Sequence, residues 1–245
     1  MRFTTDALVI KEMKVGESDR LVTLLTKEYG VIKAFAAGAK NIKSKKAAAT
    51  GLLSYSSVTI LKKNDTYKIY EATPIKIFFG AGSDILHLAL SQYFCELSLV
   101  LAPGEDDCEE FLRIILNSLH FLTAEKRNCE LIKAITELRI ASLTGYMPDL
   151  VACENCSEFE ADVMYFRVSD GHIICGNCKN EVGLIPIDRT CLTAMRHIVY
   201  SKLNSLYSFD IPDEAAKRLS ALTGKYIITQ TDHNFKTLDF YNNIK

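Results

Sequence analysis

Two C-x-x-C pairs, Cys153-Glu154-Asn155-Cys156 and Cys175-Gly176-Asn177-Cys178, stand 18 residues apart in this chain of 245. Each pair turns tightly enough to present two sulfurs to one ion, and two pairs at this separation supply the four ligands of a tetrahedral thiolate zinc site. Whatever fold the chain adopts must bring these four together. Between the pairs, Tyr165-Phe166-Arg167-Val168 runs into Ser169-Asp170-Gly171-His172, which predicts a hairpin turning at Asp170-Gly171. Two strands are not stable alone, so one structural zinc ion is expected to hold them, with about 10 kcal/mol or more of apparent folding energy. Four thiolates close the coordination sphere, whereas a catalytic zinc keeps a position for water. His172 falls near the turn and is not counted as a ligand.

The other four cysteines, Cys95, Cys108, Cys129 and Cys191, lie in apolar helical patterns and read as small buried hydrophobes rather than catalytic thiols. No phosphate-cradling G-x-x-x-x-G-K, no G-x-S-x-G and no H-E-x-x-H is present. The acidic run at 106–110 reads as a helix start. The chain is therefore not expected to be an enzyme.

Charge divides the chain. The first 80 residues carry 14 Lys and Arg against 7 Asp and Glu, and the remainder 15 against 23, although the whole has a net charge of only -1. Such asymmetry suits a nucleic-acid-facing segment joined to a partner-facing one. In the basic part, β-rich segments follow one another at about 5–13, 20–26, 30–37, 55–62 and 67–73, with turn residues at Gly16-Glu17-Ser18-Asp19, Tyr29-Gly30 and Lys63-Asn64-Asp65 and no convincing amphipathic helix. Five short strands predict a small closed barrel, for which the oligonucleotide-binding (OB) fold is the natural candidate.

In the third strand Ile32, Ala34 and Ala36 share one face, and Lys33 and Phe35 the other. A lysine beside an exposed aromatic offers a phosphate counterion and a base-stacking surface; the alternative is that Phe35 fills the core and Lys33 is a solvated charge. The following loop holds Lys40, Lys43, Lys45 and Lys46 beside Gly38 and the small run at 47–51. That density predicts a segment unable to pack, mobile until it meets a polyanion.

From residue 83 the period becomes helical. Leu86, Leu90, Phe94 and Leu97 form one stripe, Phe111, Ile115, Leu119 and Leu122 a second, and Leu131, Ile135 and Leu138 a third. Gly145 and Pro148 end that third helix. Asp188 or Thr190 can cap a further helix through Leu192, Met195 and Ile198, Pro212 can open another through Leu219 and Leu222, and a short last helix is expected near 236–244. The start of the chain lacks a basic-then-apolar leader, and the most apolar run, 85–101, is broken by His87, Gln92 and Glu96. A cytoplasmic protein without a membrane span is expected.

The run G-E-S-D-R-L-V-T-L-L-T-K-E-Y-G at 16–30, followed by Ala36-Ala37-Gly38-Ala39-Lys40 and Lys43-Ser44-Lys45, resembles the amino-terminal barrel of the RecO family of bacterial DNA repair proteins. Glu137-Leu138-Arg139 and Gly145-Tyr146-Met147-Pro148-Asp149-Leu150, leading into Cys153, resemble that family's approach to its zinc module. One departure is Lys40-Asn41, where the family pattern implies an Arg-rich pair; charge is retained at Lys40, but not a bidentate guanidinium grip. The resemblance implies a recombination mediator that binds single- and double-stranded DNA, anneals complementary strands and, with RecR, assists loading of RecA on DNA coated by single-strand-binding protein, in the cytoplasm beside the nucleoid.

The expected architecture is thus α+β: a five-stranded OB barrel at 1–80, then an α-helical domain at 81–245 carrying a four-cysteine zinc-finger module at about 150–181. Cys153, Cys156, Cys175 and Cys178 are the expected zinc ligands. Lys40, Lys43, Lys45 and Lys46 are the expected mobile phosphate contacts, with Arg20 and Lys33 on the adjoining barrel surface and Phe35 as the stacking platform. Two other classes stay open at this point. A zinc-dependent nucleic-acid enzyme requires an open metal position and a general base; an adaptor that binds no DNA requires a basic half that is merely solvated.

Overall fold

The computed structural model describes residues 1–41, 45–78, 84–104, 107–124 and 127–245. Five strands, β1 (Arg2–Val15), β2 (Asp19–Thr26), β3 (Val31–Ala36), β4 (Ser54–Lys63) and β5 (Thr66–Ile77), close into a barrel in the order β1-β2-β3-β5-β4. β1 is long enough to pair with β4 along its first half and β2 along its second, and the register shift between Val9 and Lys11 lets it bend from one partner to the other. β3 meets β5 in parallel through Ala34 and Phe35, which is the OB closure. Alternation fills the interior with Ala7, Val9, Val22, Leu24, Val58 and Ile60, all fully buried. The β4–β5 turn places Asn64 at φ 52°, a left-handed conformation that asparagine tolerates.

In the barrel, one element departs from the sequence expectation. Lys45 and Lys46 with the small residues after them form α1 (Lys45–Ala49), and Ala49 and Thr50 are buried. Alanine carries the highest helix propensity, and α1 is tied down at its carbonyls. Ser54 Oγ donates to Ala48 O at 2.8 Å, Ser56 Oγ to Ala49 O at 2.9 Å, and Arg20 Nη1 to Ala47 O at 2.8 Å.

Two compact units divide the described chain: Met1–Ala124 with Phe235–Lys245, and Glu125–Asn234. In the first, α2 (Ile85–Leu101) and α3 (Glu109–Thr123) join the barrel through a backbone bridge between Gly30 and Gly104 and through Cys108 N donating to Lys27 O at 2.9 Å. The terminal helix α7 (Lys236–Ile244), where a short helix is expected, returns to α2. Phe235 meets Tyr93 edge to face at 5.5 Å, and Thr237 N donates to Glu96 Oε2 at 2.9 Å.

The second unit packs α4 (Cys129–Leu143) against α5 (Arg189–Tyr200) and α6 (Asp213–Thr231), with Asp188 capping α5 through Cys191 N. Its sheet has four strands rather than two. β6 (Asp149–Cys153) and β9 (Ile185–Ile187) flank the expected hairpin of β7 (Met164–Arg167) and β8 (His172–Cys175) in the order β6-β8-β7-β9. β6 and β9 are too short to show a period, and Pro186 sits on an edge strand, where no ladder donor is needed. Among the described residues, no helix is long and apolar enough to cross a membrane.

Candidate metal centre and nucleic-acid interface

β6 ends at Cys153 and β8, parallel to it, at Cys175, so the sheet carries one cysteine of each pair to the same end, and each following turn returns the second. The first turn closes with Ser157 N donating to Cys153 O at 2.8 Å, the second with Cys178 N donating to Cys175 O at 3.1 Å. The four sulfurs of Cys153, Cys156, Cys175 and Cys178 lie within 4.8 Å of one another, and Cys156 Sγ is 3.6 Å from Cys175 Sγ. A tetrahedral ion with bonds of about 2.3 Å separates its sulfurs by about 3.8 Å, so the set fits a thiolate-bound metal. Cys153 and Cys175 are buried, while Cys156 is exposed.

The thiols of Cys153 and Cys178 are shifted in opposite directions. Burial pushes the Cys153 thiol up, but the N–H groups of Cys175, Cys156 and Asn155 directed at its sulfur outweigh that effect and bring it down to about 6. Cys178 is pushed up to about 12, chiefly by the Cys156 and Cys175 thiols held against it. Four sulfurs this crowded resist losing all their protons together unless a cation compensates the charge.

Outside the sulfurs, Arg167 ties the module together. Its guanidinium reaches Glu154 in the first pair at 2.6 Å, Asp170 at the hairpin turn at 2.6 Å and Glu181 beyond the second pair at 2.8 Å. The hairpin then rests on α6: Phe166 packs edge-on against Tyr226 at 5.3 Å, Tyr226 Oη donates to Tyr146 O at 2.9 Å, and Gln230 Nε2 donates to Val168 O at 2.9 Å. Gly171, at φ 79°, lies so close that a Cβ there would meet Tyr226 Oη at 2.6 Å. Sequence reasoning missed Arg167, Tyr226 and Gln230. Their partners are scattered along the chain, and only the fold brings them together.

On the barrel, β3 alternates as its sequence predicts. Ile32, Ala34 and Ala36 are buried, Lys33 is exposed, and Phe35 is half-buried on the outer face rather than in the core. Across the strands Phe35 pairs with Leu21 on one side and Lys68 on the other. The loop beyond β3 is drawn to the β1–β2 turn: Gly38 N donates to Asp19 Oδ1 at 2.8 Å, Lys40 N to Ser18 O at 2.9 Å and Lys40 Nζ to Gly16 O at 2.6 Å. Arg20 holds α1 through Ala47 O and lies 3.7 Å from Glu12, and Lys46 Nζ donates to Ile69 O at 3.3 Å. Lys43 and the Lys45 side chain lie outside the described residues.

Comparison with known proteins bears on both units. The family description Recombination protein O N terminal matches residues 1–78, and Recombination protein O C terminal matches residues 82–239. A DNA repair protein RecO of Acetivibrio thermocellus is 30% identical over 237 residues, covering 96% of this chain and 94% of the relative. Another from Caldicellulosiruptor bescii is 28% identical, with 98% of each chain covered. A third, from Alkaliphilus metalliredigens, is 24% identical over the full length of both. The OB barrel, the helices and the four-cysteine cluster stand in the order the sequence predicts, and the chain belongs to the RecO family of DNA repair proteins.

Proposed function

We propose that this chain is a DNA-binding recombination mediator. Its barrel, 1–80, binds single- and double-stranded DNA. The chain anneals complementary strands and, with RecR, assists loading of RecA on DNA coated by single-strand-binding protein; its place is the cytoplasm, beside the nucleoid. The helical part, 81–245, supplies the more acidic, partner-facing surface.

The observation that carries this reading is the outer face of β3, where Lys33 is exposed and Phe35 points away from the core, beside the lysine loop. An aromatic plane with cations next to it binds single strands without regard to sequence, because every base has a face to stack and every nucleotide a phosphate to neutralise. Lys40, Lys43, Lys45 and Lys46 supply phosphate contacts. Lys40 and Lys46 now rest on backbone carbonyls at the solvent edge and can exchange those for phosphate, while Arg20 braces α1 beside them. The four cysteines hold one zinc ion, whose contribution is folding energy for the module. No step requires nucleotide hydrolysis.

The test is annealing of complementary oligonucleotides, bare and coated with single-strand-binding protein, without ATP. The protein should accelerate duplex formation in both cases; no acceleration in either contradicts the proposal.

A further inference from the structure

Beyond Phe35, the outer face of the barrel continues in register. Lys68 on β5 pairs with Leu61 on β4, and Leu61 pairs with Arg2 on β1, so one row of outward side chains runs from Leu21 through Phe35 to Arg2. Two residues beyond Lys68 the β4–β5 ladder slips. Ile60 pairs with Ile69 and Thr59 with Glu71, which leaves Tyr70 as the extra residue of a bulge. Tyr70 follows Lys68 on the outer face by ordinary alternation, 53% exposed and with the Arg2 guanidinium 4.4 Å from its ring centre, and the bulge brings Glu71 out beside it. The ladder is interrupted here, and the ring is left in water beside a cation.

The charge around it is unbalanced. Arg2, Lys33, Lys63 and Lys68 are exposed on this face or its rim, against Glu71 and Asp65. Leu61, 37% exposed, adds an apolar contact on β4 beside Lys68. A surface of planar rings set among cations matches a strand of stacked bases carrying one negative charge per nucleotide.

We infer that Tyr70 is a second base-stacking position, joined to Phe35 through Lys68 and flanked by Leu61, so that single-stranded DNA crosses the outer face of the barrel over β3, β5, β4 and the start of β1. This rests on the proposed DNA binding and assigns it a path and residues that the lysine loop does not include. Arg2 holds the ring and covers the phosphate beside it, and Lys68 neutralises the phosphate between the two stacked bases.

The test uses the full chain, a fluorescent single-stranded oligonucleotide and the variants Tyr70→Ala, Tyr70→Phe and Lys68→Ala. Tyr70→Ala should weaken binding by about 5- to 100-fold with an unchanged salt slope, because stacking releases no counterion. Tyr70→Phe should bind like the parent, and Lys68→Ala should make the slope of log affinity against log salt shallower by about 0.7. An oligonucleotide carrying 5-iodouracil, photolysed on the parent, should attach at Tyr70. If the parent binds the oligonucleotide while Tyr70→Ala binds equally tightly and the attachment maps elsewhere, the inference is overturned and the face is open to a protein partner. If the parent binds no oligonucleotide at all, the functional proposal itself fails.

Discussion

Cys175→Ser is expected to abolish metal binding and unfold the sheet at 149–187. Cys175 is buried where β8 ends, and its backbone N–H donates to Cys153 Sγ at 3.3 Å, so in the proposed zinc site it is both a ligand and the positioner of another ligand. A serine oxygen is a poor substitute for a thiolate on zinc. The four strands are three to five residues long, and Cys156, Phe159 and Val182 at the cysteine turns and the segments beside them are exposed, so the fold of this end is expected to depend on the ion. An ion worth about 10 kcal/mol or more in apparent folding energy is comparable to the whole stability of a domain. Metal content and amide hydrogen exchange check this together. The parent should hold one zinc per chain with protected amides in β7 and β8, and the variant neither. A variant that lost metal but kept its protection would show that the module folds without the ion. One that kept its fold and lost an activity would point to chemistry at the metal.

The second large effect lies in α4. Lys133 and Glu137 are 2% and 1% exposed, one turn apart, with Nζ 2.9 Å from Glu137 Oε1. Lys133 Nζ also donates to Ser220 O at 2.9 Å, and Glu137 Oε2 accepts from Thr223 Oγ1 at 2.6 Å, so the pair is bonded across to α6. Gly224 makes room for it, since a Cβ there would meet Lys133 Nζ at 2.9 Å. Glu137→Ala strands a buried ammonium and should cost about 3–5 kcal/mol, with a fall in midpoint temperature of about 10 °C. The double variant Lys133→Met with Glu137→Leu removes both charges and should recover most of that loss. Chemical denaturation of the three proteins decides it: a double variant as unstable as the single one would mean that the pair itself, rather than the stranded charge, sets the stability.

What the residues disclosed in advance followed from how local each signal is. The alternation of Ile32, Ala34 and Ala36 is a property of one strand, and the two C-x-x-C turns each fit within four residues, so both could be read directly. The lysine loop misled because charge density hid the alanine run of α1, whose packing depends on Ser54, Ser56 and Arg20 elsewhere in the barrel. The buried pair did leave a trace. α4 is apolar on nearly every side, and charges at 133 and 137, four residues apart on it, are placed to pair with each other. Arg167 left none, because its three carboxylates are separated by 16 and 11 positions along the chain and meet only after the sheet forms. Tyr70 lies outward by the same alternation as Lys68, but its neighbour Arg2 is 68 positions away on β1 and meets it only in the closed barrel.

If the basic face of the barrel holds DNA through its phosphates, the lysine loop must set both the affinity and its dependence on salt. Fluorescence-anisotropy titration of a single-stranded oligonucleotide at two salt concentrations measures this directly, with the parent and with Lys40, Lys43, Lys45 and Lys46 all replaced by alanine. The variant should bind more weakly, with a salt slope shallower by up to about 3, from about 0.7 for each phosphate the protein no longer neutralises. Equal affinity and equal slope in the two proteins would place DNA binding, if any, away from this loop and contradict the assignment.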